Sequence, residues 1–236
     1  MEIFASDDVS AANWMVERLH PFRTYLAGSV APTNYEAYAR ILHPVFNDRG
    51  EEVRWSDIAA WSGRVYHPAM QFESIATPRD DAASAPKPWS GDVPYSFPFV
   101  QATALSEILS RFTTTSQKVW YCIWEGYGNL PKRARPRVRR EGRNYCLYVA
   151  DLCAVPEFSQ FHGSPPEYWF PDDRAWCVAG DVDLYWTYVG GSKRCIEAIL
   201  DDPRLEAVPA ELEHGLTVDS DALNRLTVAE KAAWHV

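Results

Sequence analysis

The sequence predicts an α+β fold, in which a helical or mixed N-terminal lobe is followed by a largely antiparallel sheet with flanking helices. The 236 residues are 47% hydrophobic and 23% charged, a composition that supports a packed core and excludes wholesale disorder. Apolar residues in the first half recur mainly at helical spacing. The second half contains β-branched and aromatic runs, without the regular alternation of strand and helix that a parallel sheet requires.

The first predicted lobe spans residues 1–76 and mixes helices with one strand at residues 22–30. Apolar side chains in residues 35–42 are spaced three and four apart, which predicts a helix. That helix should end before His43, because a residue that precedes a proline disfavours helical backbone. Shorter helices are expected around residues 10–19, 57–61 and 70–75.

A proline-rich segment, residues 77–98, follows the first lobe. It contains five of the 17 prolines and is interpreted as a linker or a long surface loop. Residues 99–208 form the sheet-containing lobe, and residues 209–236 form an acidic C-terminal tail, although all these segments are also compatible with one integrated domain. The second lobe is expected to contain helices at 99–112 and 192–200 and strands at 118–124, 144–152, 175–182, 184–189 and 205–208.

Hydropathy and cysteine usage predict a cytoplasmic protein that does not associate with membranes. No run approaches 18 apolar residues, and the first residues are acidic where a secretory signal would be basic and then apolar. The five cysteines are odd in number and form no CxxC pair, which argues against a disulfide framework and a zinc site. We expect Cys122, Cys146 and Cys177 to be buried thiols, and we expect no metal and no cofactor.

Charge is distributed unevenly along the chain. The net charge of the whole chain is −9, which disfavours the binding of nucleic acid. Residues 131–143 nevertheless carry seven basic side chains and only one acidic side chain. Alternate arginines of this segment would project from one face of a strand, about 7 Å apart. The segment is therefore a candidate anion-binding ribbon that admits nucleic acid as a partner, or else a solvated hairpin that pairs with the acidic body. The candidate residues are Arg133, Arg135, Arg137 and Arg139.

The densest aromatic stretch, residues 165–192, places seven Tyr, Trp and Phe rings beside four aspartates. Strand alternation would put Trp186 and Tyr188 on one face and Tyr185 and Thr187 on the other. One face is expected to be core, and the other either packs as well or contacts a protein partner, for which Tyr and Trp supply contact area. The candidate partner-binding residues are Trp169, Asp172, Asp173, Asp183, Trp186 and Tyr188.

A strand-to-helix turn formed by Gly190, Gly191 and Ser192 is a second candidate anion site, because a helix start presents unpaired N–H groups. It matches neither phosphate-loop pattern, and an ordinary Ser192 helix cap is the stronger interpretation. With Asp181 or Asp183 as an acid–base group, this turn would support an enzyme or small-ligand binder for a phosphate-bearing substrate. Such a site requires a deep pocket that holds a carboxyl group of shifted pKa.

Catalytic signatures are missing from the sequence, which contains neither HExxH nor GxSxG. Three of the six histidines precede a proline, and they are interpreted as loop corners. These are His20, His43 and His67.

Two blocks of the sequence resemble a family of uncharacterised actinobacterial proteins. The first block is YEAYARILHPVFNDRGEEVRWSDIA, residues 35–59, and the second is FPDDRAWCVAGDVDLYWTYVGGS with the following helix, residues 170–200. The resemblance would span residues 24–208 and implies no reaction and no ligand. A weaker likeness in architecture, to the acidic, aromatic-rich immunity proteins of bacterial toxin systems, implies a protein partner by analogy.

These observations favour a non-catalytic cytoplasmic protein that binds a protein partner in an immunity-like or regulatory role. The missing catalytic motif, the acidic body and the aromatic second lobe support this hypothesis. The alternatives are the enzyme or small-ligand binder for a phosphate-bearing substrate, and nucleic-acid binding through residues 131–143.

Overall fold

Antiparallel strand pairing organises the fold of this chain. The computed structural model describes residues 2–79, 85–127, 130, 136–158 and 163–234. In these residues a nine-stranded sheet with antiparallel pairings is flanked by helices, which confirms the predicted α+β class.

The large sheet takes strands from both predicted lobes. Its spatial order is β1-β7-β5-β8-β9-β10-β2-β11, and β6 pairs with β7 outside this path. Strands β3 and β4 form a separate two-stranded sheet. In chain order the strands are β1 (Phe4–Ala5), β2 (Ala37–Leu42), β3 (Val45–Phe46), β4 (Glu52–Val53), β5 (Val119–Trp124), β6 (Val138–Arg140), β7 (Arg143–Ala150), β8 (Tyr168–Pro171), β9 (Cys177–Ala179), β10 (Trp186–Gly191) and β11 (Ala207–Pro209).

The helices are short and cover both faces of the sheet. They are α1 (Asn13–Glu17), α2 (Trp55–Ser62), α3 (Phe72–Ala76), α4 (Phe99–Leu109), α5 (Lys193–Leu200) and α6 (Val228–Ala233). Helix α2 ends at Gly63, whose φ of 67° is the left-handed conformation that glycine adopts without strain. No helix in the described part of the chain combines the length and the apolar composition that a membrane span needs.

Two apolar cores lie on opposite faces of the sheet. Helices α1, α2 and α3 contribute to one core, together with Trp186 and Tyr188. Helices α4 and α5 contribute to the other core, together with Ile41 and Val189. The predicted alternation is therefore confirmed for Trp186, Tyr188 and Val189. It is wrong for Tyr185, which precedes β10 and packs against the same core as Trp186. The predicted buried thiols Cys122, Cys146 and Cys177 lie in these cores as well.

The helix predicted for residues 35–42 is wrong, because this segment forms β2 near one edge of the sheet. Ala39 and Ile41 face one core, and Leu42 faces the other. A strand that is covered on both faces has no alternation of apolar and polar residues. Its apolar residues can then fall three and four apart, which is the spacing expected of a helix. The predicted strand at residues 22–30 is also wrong, since this segment forms two 3-10 turns.

The proline-rich segment and the predicted C-terminal tail both pack against the body of the protein. In the first, Trp89, Val93 and Phe97 are buried. In the second, the buried carboxylate of Asp221 accepts hydrogen bonds from the Gln71 backbone and from neighbouring groups. The described parts of these segments therefore belong to the packed structure.

Candidate functional site

A cleft at one end of the sheet brings together polar side chains from distant parts of the sequence. Glu167 immediately precedes β8, Asp181 follows β9, and Thr187 lies at the start of β10. Because these neighbouring strands are antiparallel, the start of one lies beside the end of the next. The cleft opens to solvent and contains a cavity of about 20 Å³, room for one water-sized group. Its polar lining residues are Glu167, Asp181, Thr187, His43, Tyr127, Tyr95 and Ser96, with Gly180 and apolar side chains around them.

Glu167 is a buried carboxyl group with a fixed position. The Trp124 backbone N–H donates to its Oε2 atom at 2.8 Å, and the Tyr127 hydroxyl donates to its Oε1 atom at 2.6 Å. Burial raises the pKa of Glu167 to about 7, although these two hydrogen bonds act in the opposite direction. Glu167 can therefore exchange a proton at neutral pH.

His43 and Thr187 form a hydrogen-bonded pair in the same cleft. The His43 Nε2 atom lies 3.0 Å from the Thr187 Oγ1 atom, and the His43 Nδ1 atom lies 2.9 Å from the Pro94 carbonyl oxygen. The carbonyl can only accept, so Nδ1 carries the proton and the Thr187 hydroxyl donates to Nε2. Burial lowers the pKa of His43 to about 4, and the imidazole is neutral at physiological pH.

Asp181 lies between the cleft and two arginines, the buried Arg140 and the partly buried Arg143. Its Oδ1 atom is 3.1 Å from Arg143, and its Oδ2 atom is 3.6 Å from Arg140. Arg140 also donates to the hydroxyl groups of Tyr145 and Tyr168, at 3.2 Å and 2.7 Å. The charge of Asp181 is therefore balanced by these arginines.

The cleft is suited to ligands that donate hydrogen bonds. Apart from the Tyr95 and Tyr127 hydroxyl groups, its titratable groups are two carboxyl groups and one neutral imidazole. The nearby arginines Arg140 and Arg143 already contact Asp181. A phosphate would meet acceptor groups and negative charge there. Among the described residues, no three His, Cys, Asp or Glu side chains come together as a metal-ligand group.

The aromatic residues proposed for a partner interface are buried. Trp169, Trp186 and Tyr188 expose 0%, 2% and 1% of their surface. Their strands are covered on both faces, so these rings supply the two cores and offer no surface to a partner. The prediction that one aromatic face looks outward is therefore corrected for these three rings.

The aspartates of the same proposed interface are solvent-accessible but form internal contacts. Asp172 accepts a hydrogen bond from the Trp120 indole at 2.9 Å and pairs with Lys118. Asp173 accepts from the Thr114 backbone at 2.8 Å and so fixes the turn before β5. Asp183, three-quarters exposed, pairs with Arg143.

The turn at Gly190, Gly191 and Ser192 is not an open anion cradle. Both glycines lie within β10, and Ser192 is an ordinary helix cap whose hydroxyl accepts from the Cys195 backbone at 3.3 Å. The Glu36 carboxylate occupies the helix start, where it accepts from the Lys193 N–H at 3.0 Å. A six-residue strand, about 17 Å long, separates this turn from the acid–base candidates Asp181 and Asp183.

Only part of the arginine segment lies within the described residues. Arg133 and Arg135 lie outside them. Arg137 donates to the Glu125 carboxylate at 3.0 Å, and Arg139 is exposed on β6. Arg140 is buried beside Asp181, so at least two arginines of this segment pair with carboxylates of the same chain.

Sequence reasoning missed three residues of the cleft. Glu167 is a single carboxyl between two prolines and an aromatic strand, and the only local signal is this position before an apolar run. His43 was interpreted as a loop corner, and it does lie between β2 and β3, but it points into the cleft. The predicted strand alternation put Thr187 on the correct face of β10, but no functional role was predicted for it.

Comparison of the chain with protein-family models, with curated proteins and with solved structures gives no match.

Proposed function

We propose that this protein binds a small molecule that inserts one hydrogen-bond-donating group into the Glu167 cleft, and that Glu167 exchanges a proton with this group. The observation that carries the proposal is the Glu167 carboxyl, fixed by two hydrogen bonds and with a pKa raised to about 7. A carboxyl group that titrates at the working pH in a cleft is the arrangement expected of a general acid–base group.

The chemistry of the cleft supports a ligand with an amide, amine or hydroxyl group. The partly ionised Glu167 accepts hydrogen bonds from such groups, and its protonated form returns a proton to them. Thr187 and the neutral His43 supply a polarised hydroxyl in the same cleft. This ligand class differs from the phosphate-bearing substrate that the sequence offered as an alternative.

Small-ligand binding also has better support than partner capture by the aromatic stretch. The three rings proposed for that interface lie in the cores, whereas the cleft presents polar atoms at a concave surface. Concave sites with a few convergent polar groups are the usual form of small-ligand sites.

Protein NMR with small fragments tests this proposal. A panel of amides, amines and alcohols is titrated into the ¹⁵N-labelled protein at pH 7, and we expect the Trp124 backbone N–H to shift with at least one class. Two variants should weaken the shift, namely Glu167→Gln and Gly180→Ala. A methyl group at Gly180 would lie 3.6 Å from the Glu167 carbonyl oxygen and 3.7 Å from Thr187 Oγ1, so it narrows the cleft without a clash.

The exposed Glu211 provides a matched control, and Glu211→Gln should leave every shift unchanged. The proposal is overturned if no fragment class shifts the Trp124 signal. It is also overturned if the shifts persist in both cleft variants, because the fragments then bind elsewhere.

A further inference from the structure

A groove lies beside one edge of the large sheet, where helix α5 packs against strands β2 and β11. It opens to solvent and has a volume of about 460 Å³. Its lining comes from three segments, namely α5, residues 36–38 at the start of β2, and residues 209–213 at the end of β11. None of these lining residues belongs to the Glu167 cleft, so the two sites are separate.

The groove exposes apolar side chains at the margins of the two cores. Tyr38, Leu200 and Leu212 are only partly buried, and each packs against core residues. Helix α5 lines the groove with residues 193, 196, 197 and 200, whose spacing of three and four places them on one face of the helix. An apolar side chain of a ligand would therefore find carbon surface to cover in this groove.

The charged side chains around the groove are mostly acidic. The charged lining residues are Glu36, Glu197, Glu211, Glu213 and Lys193, all of them exposed. Within the described part of the chain, no lysine or arginine forms an ion pair with these four carboxylates, and Glu211 lies 3.8 Å from His214. Burial lowers the pKa of His214, so its imidazole is neutral at pH 7. Four carboxylates and one ammonium group therefore leave three net negative charges at the groove.

Strand β11 adds a free backbone edge to the groove. In the described sheet β11 is the last strand and pairs with β2. The Leu42 N–H donates to the Glu206 carbonyl oxygen, and the Ala210 N–H donates to the Tyr38 carbonyl oxygen. Because the direction of hydrogen bonding alternates along a strand, the carbonyl of Pro209 faces away from β2. This carbonyl can accept a hydrogen bond from the N–H of an added extended chain.

We propose that this groove docks a basic segment of a partner protein, in which lysine or arginine side chains flank apolar ones. Charge complementarity selects this occupant, because a groove with three net negative charges attracts basic side chains and repels acidic ones. The apolar side chains of the segment cover the carbon surface of Tyr38, Leu200 and Leu212. The backbone of the segment donates to the Pro209 carbonyl, as in β-strand addition. A polyamine would match the charge of the groove but would lack the apolar side chains.

Titration of the ¹⁵N-labelled full chain with synthetic peptides tests the proposal. The probe peptide is acetyl-KKLLKK-amide, and the probe signals are the backbone N–H groups of Glu197 and Leu200. We expect saturable shifts with a Kd on the order of 100 μM, which a peptide of this size reaches through a few contacts. The Trp124 backbone N–H reports on the Glu167 cleft and should not shift. Failure of this proposal is therefore distinguishable from failure of the proposed function.

Two control peptides separate the contributions of charge and apolar surface. Acetyl-QQLLQQ-amide keeps the leucines without the charge and should bind at least about threefold more weakly. Acetyl-KKAAKK-amide keeps the charge and should bind at least about tenfold more weakly, because less apolar surface is buried. Raising the NaCl concentration from about 50 mM to about 500 mM should weaken binding of the probe peptide, since exposed charges are screened by salt.

A double variant locates the binding site. Glu197→Gln combined with Glu213→Gln removes two exposed carboxylates and should weaken binding of the probe peptide about 2- to 30-fold, the range of two surface ion pairs. The matched control combines Asp48→Asn with Asp92→Asn, which makes the same change in net charge at two exposed residues that do not line the groove. This control should bind the probe peptide as the unmodified chain does. Circular dichroism establishes that both double variants are folded.

Each part of the proposal can be overturned. Equal binding of acetyl-KKAAKK-amide would show that the groove is only an acidic patch, and equal binding of acetyl-QQLLQQ-amide would assign it to uncharged apolar ligands. Undiminished binding by the variant at Glu197 and Glu213 would show that the peptide binds elsewhere. An absence of shifts up to about 2 mM probe peptide would exclude an affinity useful for recognition.

Discussion

The Thr187 hydroxyl donates a hydrogen bond to the Nε2 atom of His43 across 3.0 Å, although the two residues are 144 positions apart in the chain. His43 also binds the Pro94 carbonyl oxygen and stacks on Phe97 with ring centroids 5.4 Å apart. The imidazole therefore joins β10 to the proline-rich segment. This contact gives one wall of the Glu167 cleft a defined geometry.

Removal of the Thr187 hydroxyl should destabilise the protein. Thr187→Val keeps the volume of the side chain but leaves the buried His43 Nε2 atom without a donor, and we expect a loss of about 1–3 kcal/mol in the free energy of unfolding. Urea denaturation measures this loss. Thr187→Ser retains the hydroxyl and should keep the hydrogen bond. An unchanged unfolding free energy in Thr187→Val would contradict the described geometry.

His43 should remain neutral across the physiological range. Burial lowers the pKa of His43 from 6.5 to about 4. Between pH 4 and pH 6.5, His43 is therefore protonated in the unfolded chain but not in the folded protein. This residue therefore makes the protein less stable as the pH falls from about 6.5 to about 4. In ¹⁵N NMR, the Nε2 atom should keep the chemical shift of an unprotonated nitrogen down to pH 5. Titration of His43 near pH 6.5 would show that its burial is wrong.

Glu167 should produce the opposite dependence of stability on pH. Its pKa in the folded protein is raised from 4.5 to about 7, so the folded state holds the proton more tightly than the unfolded state. Its contribution to stability is complete below about pH 4.5 and is lost as the pH rises through about 7. We expect the unmodified protein to lose about 3 kcal/mol relative to Glu167→Gln over this window.

Urea denaturation of both proteins at several pH values measures this difference. The comparison cancels the contributions of other groups that titrate in the same range, among them the partly buried Glu206, whose pKa is also raised by burial. A difference between the two proteins that does not vary with pH would contradict the raised pKa of Glu167.

Asp181 and Asp183 provide a matched pair for the buried charge cluster. Asp181→Asn removes a charge partner from Arg140, whose side chain is 3% exposed. Breaking such a buried pair is expected to cost about 3–5 kcal/mol. Asp183→Asn alters an exposed carboxylate that contacts the same Arg143 and should cost about 1 kcal/mol or less. In thermal denaturation, Asp181→Asn should therefore have a clearly lower melting temperature than Asp183→Asn. Similar melting temperatures would show that Asp181 is not the partner of a buried arginine.

Gly190, within β10, and Gly180, directly after β9, make a second matched pair. A methyl group at Gly190 would lie 2.5 Å from the Tyr35 ring, whereas one at Gly180 would meet only ordinary contacts. The Tyr35 ring cannot easily move, because its hydroxyl binds the Arg174 carbonyl at 3.2 Å. We expect Gly190→Ala to cost about 1–3 kcal/mol.

Gly180→Ala should remain close to the unmodified protein in unfolding free energy, which is also what makes it useful for blocking the Glu167 cleft. Equal stability of the two alanine variants in urea would show that the packing around Gly190 is looser than described.

Local sequence patterns predicted the elements whose periodicity is set by near neighbours. The aromatic and β-branched run of β5 was predicted as a strand, and the apolar stripe of α5 with its Ser192 cap was predicted as a helix. The same reasoning failed at β2, whose apolar residues on both faces remove the alternation that marks a strand. The spacing of apolar residues depends on how many faces of a strand or helix are covered. It identifies the secondary structure only when one face is exposed to solvent.

The cleft could not be predicted in this way. Glu167, His43 and Thr187 each lack a local motif, and they meet because antiparallel pairing places the end of one strand beside the start of another. The outward-facing aromatic surface expected from the sequence failed for a related reason, since composition cannot tell whether a second layer of helices covers a strand.

The sequence by itself determined the α+β class, most strands of the second half and the burial of three thiols, because these follow from composition and from contacts between residues close in the chain. Only the tertiary structure decided which carboxyl group is desolvated, which histidine is neutral and which aromatic rings face a cleft. A pKa and an exposed surface depend on what surrounds a side chain in space, and that environment is assembled from segments that are far apart in sequence.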